Sequence, residues 1–510
     1  MDSLETDDQF IIVNRSREHR ISKKVIRKVP YFEKLLSHEC LESKENKVEL
    51  DFDEKALILF LKWVAFDYLL IEMKNVISLY NMIDYFGVDS NLIQDCATYF
   101  RDNFSISHLP VVISQVTPTS QCINSGALDA FICRHFLKIA KSKAWLNYPI
   151  ETIEYICALD LVIHSEMQVF NAIMRWIDYE AESSKIHLER LLKLIRWCHL
   201  SRKDLSKIKE NDCVKSSNFE PIFCTPVQCN GYCTLNRINQ YYYVLIEELD
   251  GTDLQIKVLT KNFMPFIKRV IKLDESMPLN LLHNDHVCDI VFDSGRKMIR
   301  VDWNQNKYRL IGLEELKSHT FKIRKCIPEK KYDELYDLHV NLSRYYPQGS
   351  LLDLNGEFLL ISTNSEKMFC CLSPSDARIE RFYHGSHCEY LATVLDNKIY
   401  IMTSSHELFE FNIDSGKTQK FTRKGEAEFR DLFLISKPEQ DKIMLIDKSK
   451  EIVDCFNVRT KEWSPFGIMV NNFTSTGNQR KLNKLLTFTS AFLPINTIRS
   501  CIKRERKPVE

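Results

Sequence analysis

Hydrophobic and polar residues recur along this chain with two rhythms, and the changes of rhythm divide it into three regions. The first, residues 1–107, mixes them. "FIIVNRSREHRI" alternates as a hairpin would. "SKKVIRKVPYFEKLL" predicts a short helix ended by Pro30, whose ring denies its predecessor the helical conformation, and a second short helix anchored by Tyr31 and Phe32. "KVELDF" predicts a strand. In "DEKALILFLKWVAF", Leu57, Phe60, Leu61 and Val64 share one helical stripe, while Ile58, Leu59 and Trp63 lie off it. A helix apolar on more than one face is buried on more than one side, and a partner chain would bury it so. "KNVISLYNMIDYFGVDSNLIQDCATYF" adds two helices broken near Gly87 and Asp89.

The second region, residues 108–215, keeps a period of 3.6 throughout. Ser165 and Gln168 fit a capping box at a helix start. Val169, Ile173, Trp176 and Ile177 then share one face, and Leu188, Leu191, Leu192 and Ile195 repeat the period, as stacked helix hairpins require. The third region, residues 222–495, changes to a period of 2. Short strands recur in "YYYVLIEEL", "CDIVFDSG", "GEFLLISTN", "NKIYIMTSS" and "DKIMLIDKS". From Phe358 to Ile399 to Ile443 the steps are 41 and 44 residues, and the first two strands are about 46 apart. A polar insert, "KYDELYDLHVNLSRYYPQG", separates those two from the rest. A repeat of that length built from four short strands is one propeller blade, and a lone blade cannot bury both its faces. Residues 496–510 form a basic tail.

Composition narrows the function more than the fold. Lysine plus arginine equals aspartate plus glutamate, 69 each, which argues against nucleic acid or an anionic membrane as main partner. The run "IKRERKP" reads first as a solvated terminus. "MDSLETDDQ" is acidic and polar where a secretory signal is basic and then apolar, and "ALILFLKWVAFDYLLI" is interrupted by Lys62 and Asp67. The 17 cysteines are therefore expected as reduced thiols, and the chain as cytoplasmic, with nuclear residence left open. Cys224, Cys229 and Cys233 are loosely spaced for zinc, and no CxxC or HxxxH partner follows, so neither metal nor cofactor is expected. The chain has no P-loop, GxGxxG, GxSxG or HExxH. His387 and Cys388 are neighbours, which point to opposite faces of a strand and cannot form a dyad there. A non-catalytic protein is expected.

"VPYFEKLL", "KVELDFDEKALILFLKWVAF" and "NVISLYNMIDYFGVDSNLIQDCATYF" resemble the BTB domain in order and spacing. "YPIETIEYICALDLVIHSEMQVFNAIMRWIDYE" and "LLKLIRWCHLS" resemble the BACK domain, through Ser165, Glu166, Arg175, Trp176, Arg196 and Leu200. With blades behind them, nearly the whole chain resembles the Kelch-like proteins. The resemblance implies an α/β BTB domain over 1–107, an all-α BACK domain over 108–215 and an all-β propeller over 222–495. That propeller is expected to be degenerate and six-bladed, with five blades legible and the sixth built by segments at either end. An irregular β-sandwich is the alternative. Kelch blades carry a Gly-Gly pair after the second strand; here those places hold Ser362 and Thr363, Thr403 and Ser404, or Asp447 and Lys448. Trp463 stands where a blade's late tryptophan belongs, and Phe421 and Tyr308 replace it elsewhere.

Such an architecture implies a substrate adaptor of a Cullin-3 ubiquitin ligase: a BTB homodimer holding the cullin and a propeller holding a protein substrate. By position, the cullin-facing motif falls on Cys40, Leu41 and Glu42, with Cys40 a smaller anchor than usual. Tyr85 and Phe86 would be the aromatic half of that surface, although Phe86 reads foremost as a core ring. The dimer interface would use Asp8, Lys23 and Trp63. Ile21 and Ser22 stand where the family has a histidine and a basic residue, with His19 nearby. The loops "SPSDARIE" and "RKGEAEFRD" would carry substrate. A non-degradative scaffold for cytoskeletal or other proteins is the alternative function.

Overall fold

The computed structural model describes residues 8–88, 90–180, 184–217, 219–220, 237, 241–249, 251–328, 349–354, 357–363, 368–372, 379–384, 389–423, 427–437, 441–450, 452–468 and 484–504. The chain forms two compact units, residues 1–131 with 148–153, and residues 132–147 with 154–510. The helical stretch expected from residue 108 onward is thus shared between both units. The cysteines at 224, 229 and 233, the insert around 332–348 and the pair His387–Cys388 lie outside the described residues.

The first unit is built on a three-stranded sheet of order β2–β1–β3. Strands β1 (Gln9–Asn14) and β2 (Arg17–Ser22) form the expected hairpin, and β3 (Lys47–Leu50) runs parallel to β1. Phe10 and Ile12 alternate inward from β1, as a sheet covered on one face requires. Asn14, also buried, accepts from the Phe52 amide at 2.8 Å and donates to Glu54 Oε2 at 2.8 Å, tying the strand end to the helix that follows.

Five helices pack around this sheet: α1 (Lys23–Ile26), α2 (Pro30–Ser37), α3 (Leu41–Glu45), α4 (Glu54–Phe66) and α5 (Val76–Tyr85), followed by α6 (Ser90–Asn103) and α7 (Leu109–Ile113). Pro30 occupies the first turn of α2, where its missing N–H has no helical partner to lose. Asp53 caps α4 by accepting from the Ala56 amide at 2.9 Å. Leu57, Phe60 and Val64 are buried, while Ile58, Leu59, Leu61 and Trp63 are only half buried.

In the second unit the helices are α8 (Ser125–Lys141) and α10 (Ile150–Ala158), which both begin in the first unit, and α9 (Lys143–Leu146), α11 (Glu166–Tyr179), α12 (Leu188–Leu192), α13 (Arg202–Glu210) and α14 (Asp212–Lys215). Ser165 Oγ accepts from the Met167 amide at 3.1 Å, and Gln168 Oε1 answers from the amide of His164, one residue before the cap. Val169, Ile173, Trp176 and Ile177 are buried along α11.

The strand-rich part nearly closes on itself. Three sheets are four-stranded antiparallel meanders: β10 (Ser350–Leu354) to β13 (Ile379–His384), through β11 (Glu357–Thr363) and β12 (Met368–Leu372); β14 (Tyr390–Leu395) to β17 (Thr418–Thr422), through β15 (Lys398–Thr403) and β16 (Glu407–Asn412); and β18 (Leu432–Lys437) to β21 (Glu462–Ile468), through β19 (Lys442–Asp447) and β20 (Ile452–Asn457). The remaining strands are β4 (Tyr241–Glu248), β5 (Leu254–Leu259), β6 (Pro265–Leu273), β7 (Val287–Phe292), β8 (Lys297–Asp302), β9 (Lys307–Ile311) and β22 (Lys484–Phe492). They join in the order β22–β4–β5–β6–β9–β8–β7, but β6 meets β9 only at Lys272 and Leu273. This is two sheets touching at a corner.

Strand β22 contacts β18 and β7, β18 contacts β14, β14 contacts β10, and β10 contacts the turn between β7 and β8. Between successive sheets lie five apolar seams, one of them holding Ile399, Ile401 and Phe409 against Leu359 and Ile361. The arrangement is propeller-like, not a sandwich of two faces. Among the described residues it has five sheets where six were expected. The reason is that the end segments do not build a sixth: β22 pairs with β4 from Phe492↔Tyr241 to Lys484↔Glu248 and completes a single sheet. "CDIVFDSG" is also one strand out of step, since β7 opens its sheet whereas β4, β11, β15 and β19 are second strands.

The missing glycines have local substitutes. Left-handed corners are held by Asp293, Ser294, Asn306, Asp396, His406 and Asp441, residue types mostly able to bond their own backbone there. Asp447, where a Gly-Gly pair was expected, accepts from the amides of Ser449 (3.0 Å) and Lys450 (3.1 Å), and Asp302 does the same for Asn304 and Gln305. Gly295 has no substitute: its φ is +80°, and a Cβ would fall 2.0 Å from the Leu351 carbonyl oxygen.

Candidate partner-binding site

In the first unit α2, α3 and the end of α5 meet around one ring. The Tyr31 amide donates to the Phe86 carbonyl at 3.2 Å, so the start of α2 is fixed to the end of α5. The Tyr31 ring lies 5.4 Å from Tyr85 and 5.4 Å from Phe86. Phe86 is 1% exposed and stacks on Phe60 at 5.0 Å, so it acts from the core. Tyr85 is 55% exposed and rests on Phe52 at 5.3 Å. Burial first, then the hydrogen bond with Tyr85 and the charges of Tyr85, Glu42 and Cys40, push the Tyr31 phenol up to about 12. Tyr31 therefore stays neutral, and Tyr31, Cys40, Glu42 and Tyr85 belong to one neighbourhood.

Cys40 caps α3. Its amide donates to Ser43 Oγ at 3.2 Å, and its thiol donates to the Leu35 carbonyl at 3.6 Å. Half buried and spent on that contact, it offers little apolar anchor. Leu41 beside it is 66% exposed, and Glu42 is exposed in the first turn. Leu41 and Tyr85 are thus the exposed large side chains of these two stretches. The sequence marks Tyr31 as a helix anchor only; apart from Phe32, its aromatic neighbours Tyr85 and Phe86 are distant in sequence, and nothing local marks it as the ring that joins α2 to α5.

On the other candidate surface, Asp8 accepts from Ser22 Oγ at 3.0 Å, and its carbonyl accepts the Lys23 amide at 2.7 Å. His19 is held by Glu54 at 2.9 Å, a carboxylate kept below its ordinary range first by the hydrogen bond from Asn14. Trp63 is half buried, 5.8 Å from Phe60.

Two buried polar clusters occupy the second unit. Glu166, fully buried, faces Arg237 Nε at 3.4 Å and accepts from the Arg196 amide at 3.3 Å; Arg196 reaches Asp160 at 2.5 Å, and Arg237 donates to the Leu194 carbonyl at 3.0 Å. Burial raises the Glu166 carboxyl above its usual range against the opposing pull of Arg237. Arg175, the other charged signature residue, donates to the Ala140 carbonyl and lines an open cleft of about 490 Å³ with Leu146, Phe170, Met174, Asp178 and Tyr179.

The second cluster centres on Asp289 of β7. Arg300 grips it with two bonds of 2.7 Å, and His319 and His283 stand at 3.4 and 3.8 Å. Burial opposes ionisation of Asp289, but the bonds from Arg300, His283 and His319 hold it well below the carboxylate range. Arg134 of α8 donates to the His283 carbonyl at 3.1 Å, and Lys138 pairs with Asp353 at 2.6 Å. Burial pushes the His283 imidazole down to about 4. Among the described residues no three His, Cys, Asp or Glu side chains are grouped to hold a metal, and no helix is long and apolar enough to cross a membrane. The loop sequences 373–380 and 423–431 lie partly outside the described residues.

Residues 122–210 match the BACK family, described as BTB And C-terminal Kelch. The match takes in Glu166, Arg175 and Arg196, and supports the BTB–BACK–Kelch architecture; no match to BTB or to Kelch repeats accompanies it. Among solved structures, apo AztD from Citrobacter koseri superposes with a TM-score of 0.22 at 10% identity, over 49% of this chain and 62% of that one, less than two thirds of its length. A second structure of Citrobacter koseri AztD gives 0.23 at 10% identity, over 48% and 73%. Superpositions this poor say nothing about fold or function.

Proposed function

We propose that this chain is the substrate-recognition adaptor of a Cullin-3 RING ubiquitin ligase. It would use the first unit to dimerise and hold the cullin, and a degenerate five-bladed propeller to hold the protein substrate. The BACK match supports an adaptor of the BTB–Kelch type. The observation that supports the cullin assignment is the gathering of Cys40, exposed Glu42 and exposed Tyr85 around Tyr31, on the elements where the resemblance puts that contact, with exposed Leu41 between Cys40 and Glu42 in the chain. The chemistry is proximity: a target held beside a charged E2 presents its lysines at high local concentration, and a dimer doubles the points of attachment. The adaptor contributes no catalytic group. Cytoplasm is its working place in this reading, with the nucleus open to it.

The inward turn of the Cys40 thiol favours a second reading, a scaffold of the same architecture that binds other proteins without a cullin. Pull-down of the full-length chain with purified Cullin-3 separates them. The adaptor reading expects binding that Leu41→Asp with Tyr85→Ala weakens at least about tenfold, the loss of a buried anchor pair. No binding by the folded wild type, or binding indifferent to that double substitution, sinks it. Gel filtration then tests the homodimer; a monomer at tens of micromolar refutes that part.

A further inference from the structure

Helix α11 carries two opposite charges on one face that do not answer each other. Arg175 and Asp178 stand three residues apart, where helical side chains are neighbours, yet Arg175 turns to the Ala140 carbonyl instead. Among the described residues no carboxylate lies within 4 Å of Arg175, and no cation within 4 Å of Asp178. Other buried cations of this unit have their carboxylates: Arg196 has Asp160 at 2.5 Å, Lys138 has Asp353 at 2.6 Å, and Arg300 has Asp289 at 2.7 Å. Arg175 is half buried, and burial pushes its guanidinium down from the ordinary value. A guanidinium so placed keeps its charge and bears the cost of lost hydration, which an anionic partner would offset.

Both charges line the open cleft of about 490 Å³, a volume in the range of ligand sites. Residues 170, 174 and 178 follow one stripe of α11, with 171, 175 and 179 beside it. At 1.5 Å per residue the cleft therefore runs along the helix for roughly 13 Å. Its other wall is fixed in place. Trp145 Nε1 donates to the Ala172 carbonyl at 2.9 Å, which pins α9, and with it Leu146, against α11. Asn211 Oδ1 accepts from the amides of Cys213 (3.0 Å) and Val214 (3.3 Å), so its Nδ2 donor is what it offers the cleft. Buried Phe170 and Met174, with Leu146, make one end apolar, and exposed Asp178 and Tyr179 make the other polar.

We propose that this cleft binds an extended segment of another protein carrying an apolar, an acidic and a basic side chain at alternate positions. Alternate residues of an extended chain share one face, and three of them span about 13 Å, the length of the cleft. The apolar side chain would lie on Phe170, Met174 and Leu146, the carboxylate would take the guanidinium of Arg175, and the basic group would face Asp178. Asn211 and Tyr179 remain for the segment's own peptide groups. Charge selects this occupant: a phosphate or a wholly acidic segment would set negative charge against Asp178, and a wholly basic one would set positive charge against Arg175. The site uses none of the residues around Tyr31 and does not rest on the adaptor reading.

The test is fluorescence anisotropy of the full-length chain with a labelled short peptide, blocked at both ends, carrying Leu, Glu and Lys at alternate positions. Saturable binding is expected. A peptide with Gln in place of its Glu should bind about tenfold more weakly, the loss of one charge-assisted contact. Asp178→Lys changes an exposed side chain, and should weaken binding severalfold while shifting preference to a peptide with Glu in both charged places. Arg175→Glu with Asp178→Lys should prefer a peptide with Glu and Lys interchanged, with thermal melting confirming the fold. If that double variant fails to fold, Asp178→Lys alone decides. No saturable binding, indifference to the Gln peptide, or unchanged preference in Asp178→Lys overturns the proposal. So does displacement of the peptide by inorganic phosphate at equal concentration, which would make Arg175 a bare anion site.

Discussion

Residues 122–210 and the strand-rich region after residue 240 both close cores, but by unlike means. The helical stretch encloses ions. Glu166 and Arg237 are essentially unexposed, and Arg196 and Asp160 extend the network. The strand-rich region encloses five apolar seams, each filled by two neighbouring sheets. A buried ion pair fixes residue identity, since either partner left alone carries an uncompensated charge. An apolar seam fixes only size and hydrophobicity, and many sequences fill it.

The sharpest way to break this contrast is Glu166→Ala. It strands Arg237 in a site 1% exposed, and the expected loss is about 3–5 kcal/mol. Ile401→Val in a seam should cost only about 0.5–1.5 kcal/mol. Guanidinium unfolding of the full chain measures both. If the two losses are equal, identity-by-charge is not what separates the regions.

The strand region encloses ions too, Lys257 with Glu247 and Glu410 with Lys398 and Lys461, and its Asp289 cluster predicts an acid limb. His283 is held at about 4, below its free value of 6.5. The unfolded chain therefore binds a proton there that the folded chain refuses. Stability from this group is fully present above about 6.5 and is lost as pH falls toward 4, a loss of about 3 kcal/mol when complete. Buried His135, depressed in the same direction, adds to it, while Asp289 loses its own contribution only at lower pH. His283→Gln should flatten denaturation midpoints between pH 6.5 and 4.5. Midpoints that keep the wild-type slope would show the imidazole is not the group that titrates.

How much of this was legible depended on whether the signal was local. The hairpin of β1 and β2, Pro30, the apolar face of α11 and the Ser165 cap all follow from neighbours within one turn or one hairpin. Blade number did not, because it rests on β22 pairing with β4 some 240 residues away in sequence. The slip at "CDIVFDSG" has the same origin: first and second strands share one alternation, and only pairing tells them apart. At the candidate site, Cys40, Leu41, Glu42 and Tyr85 follow only from the resemblance to the BTB domain, carried over by position. The weight carried by Tyr31 depends on contacts between α2 and α5 that no short window contains.

The smallest effect tests whether a turn can dispense with the family's glycines. Asp447 Oδ1 accepts from the Ser449 amide, the Ser449 hydroxyl and the Lys450 amide, which closes the turn between β19 and β20 with a side chain. What the turn uses is an acceptor oxygen at that position. Asp447→Asn keeps such an oxygen and should change stability by less than about 0.5 kcal/mol, whereas Asp447→Ala removes it and should cost about 1 kcal/mol. Thermal melts of the two variants beside Asp302→Ala, the matching turn after β8, read the difference directly. An alanine as benign as asparagine at both turns would mean the strands alone close these corners, and the loss of Gly-Gly pairs would then need no side-chain substitute.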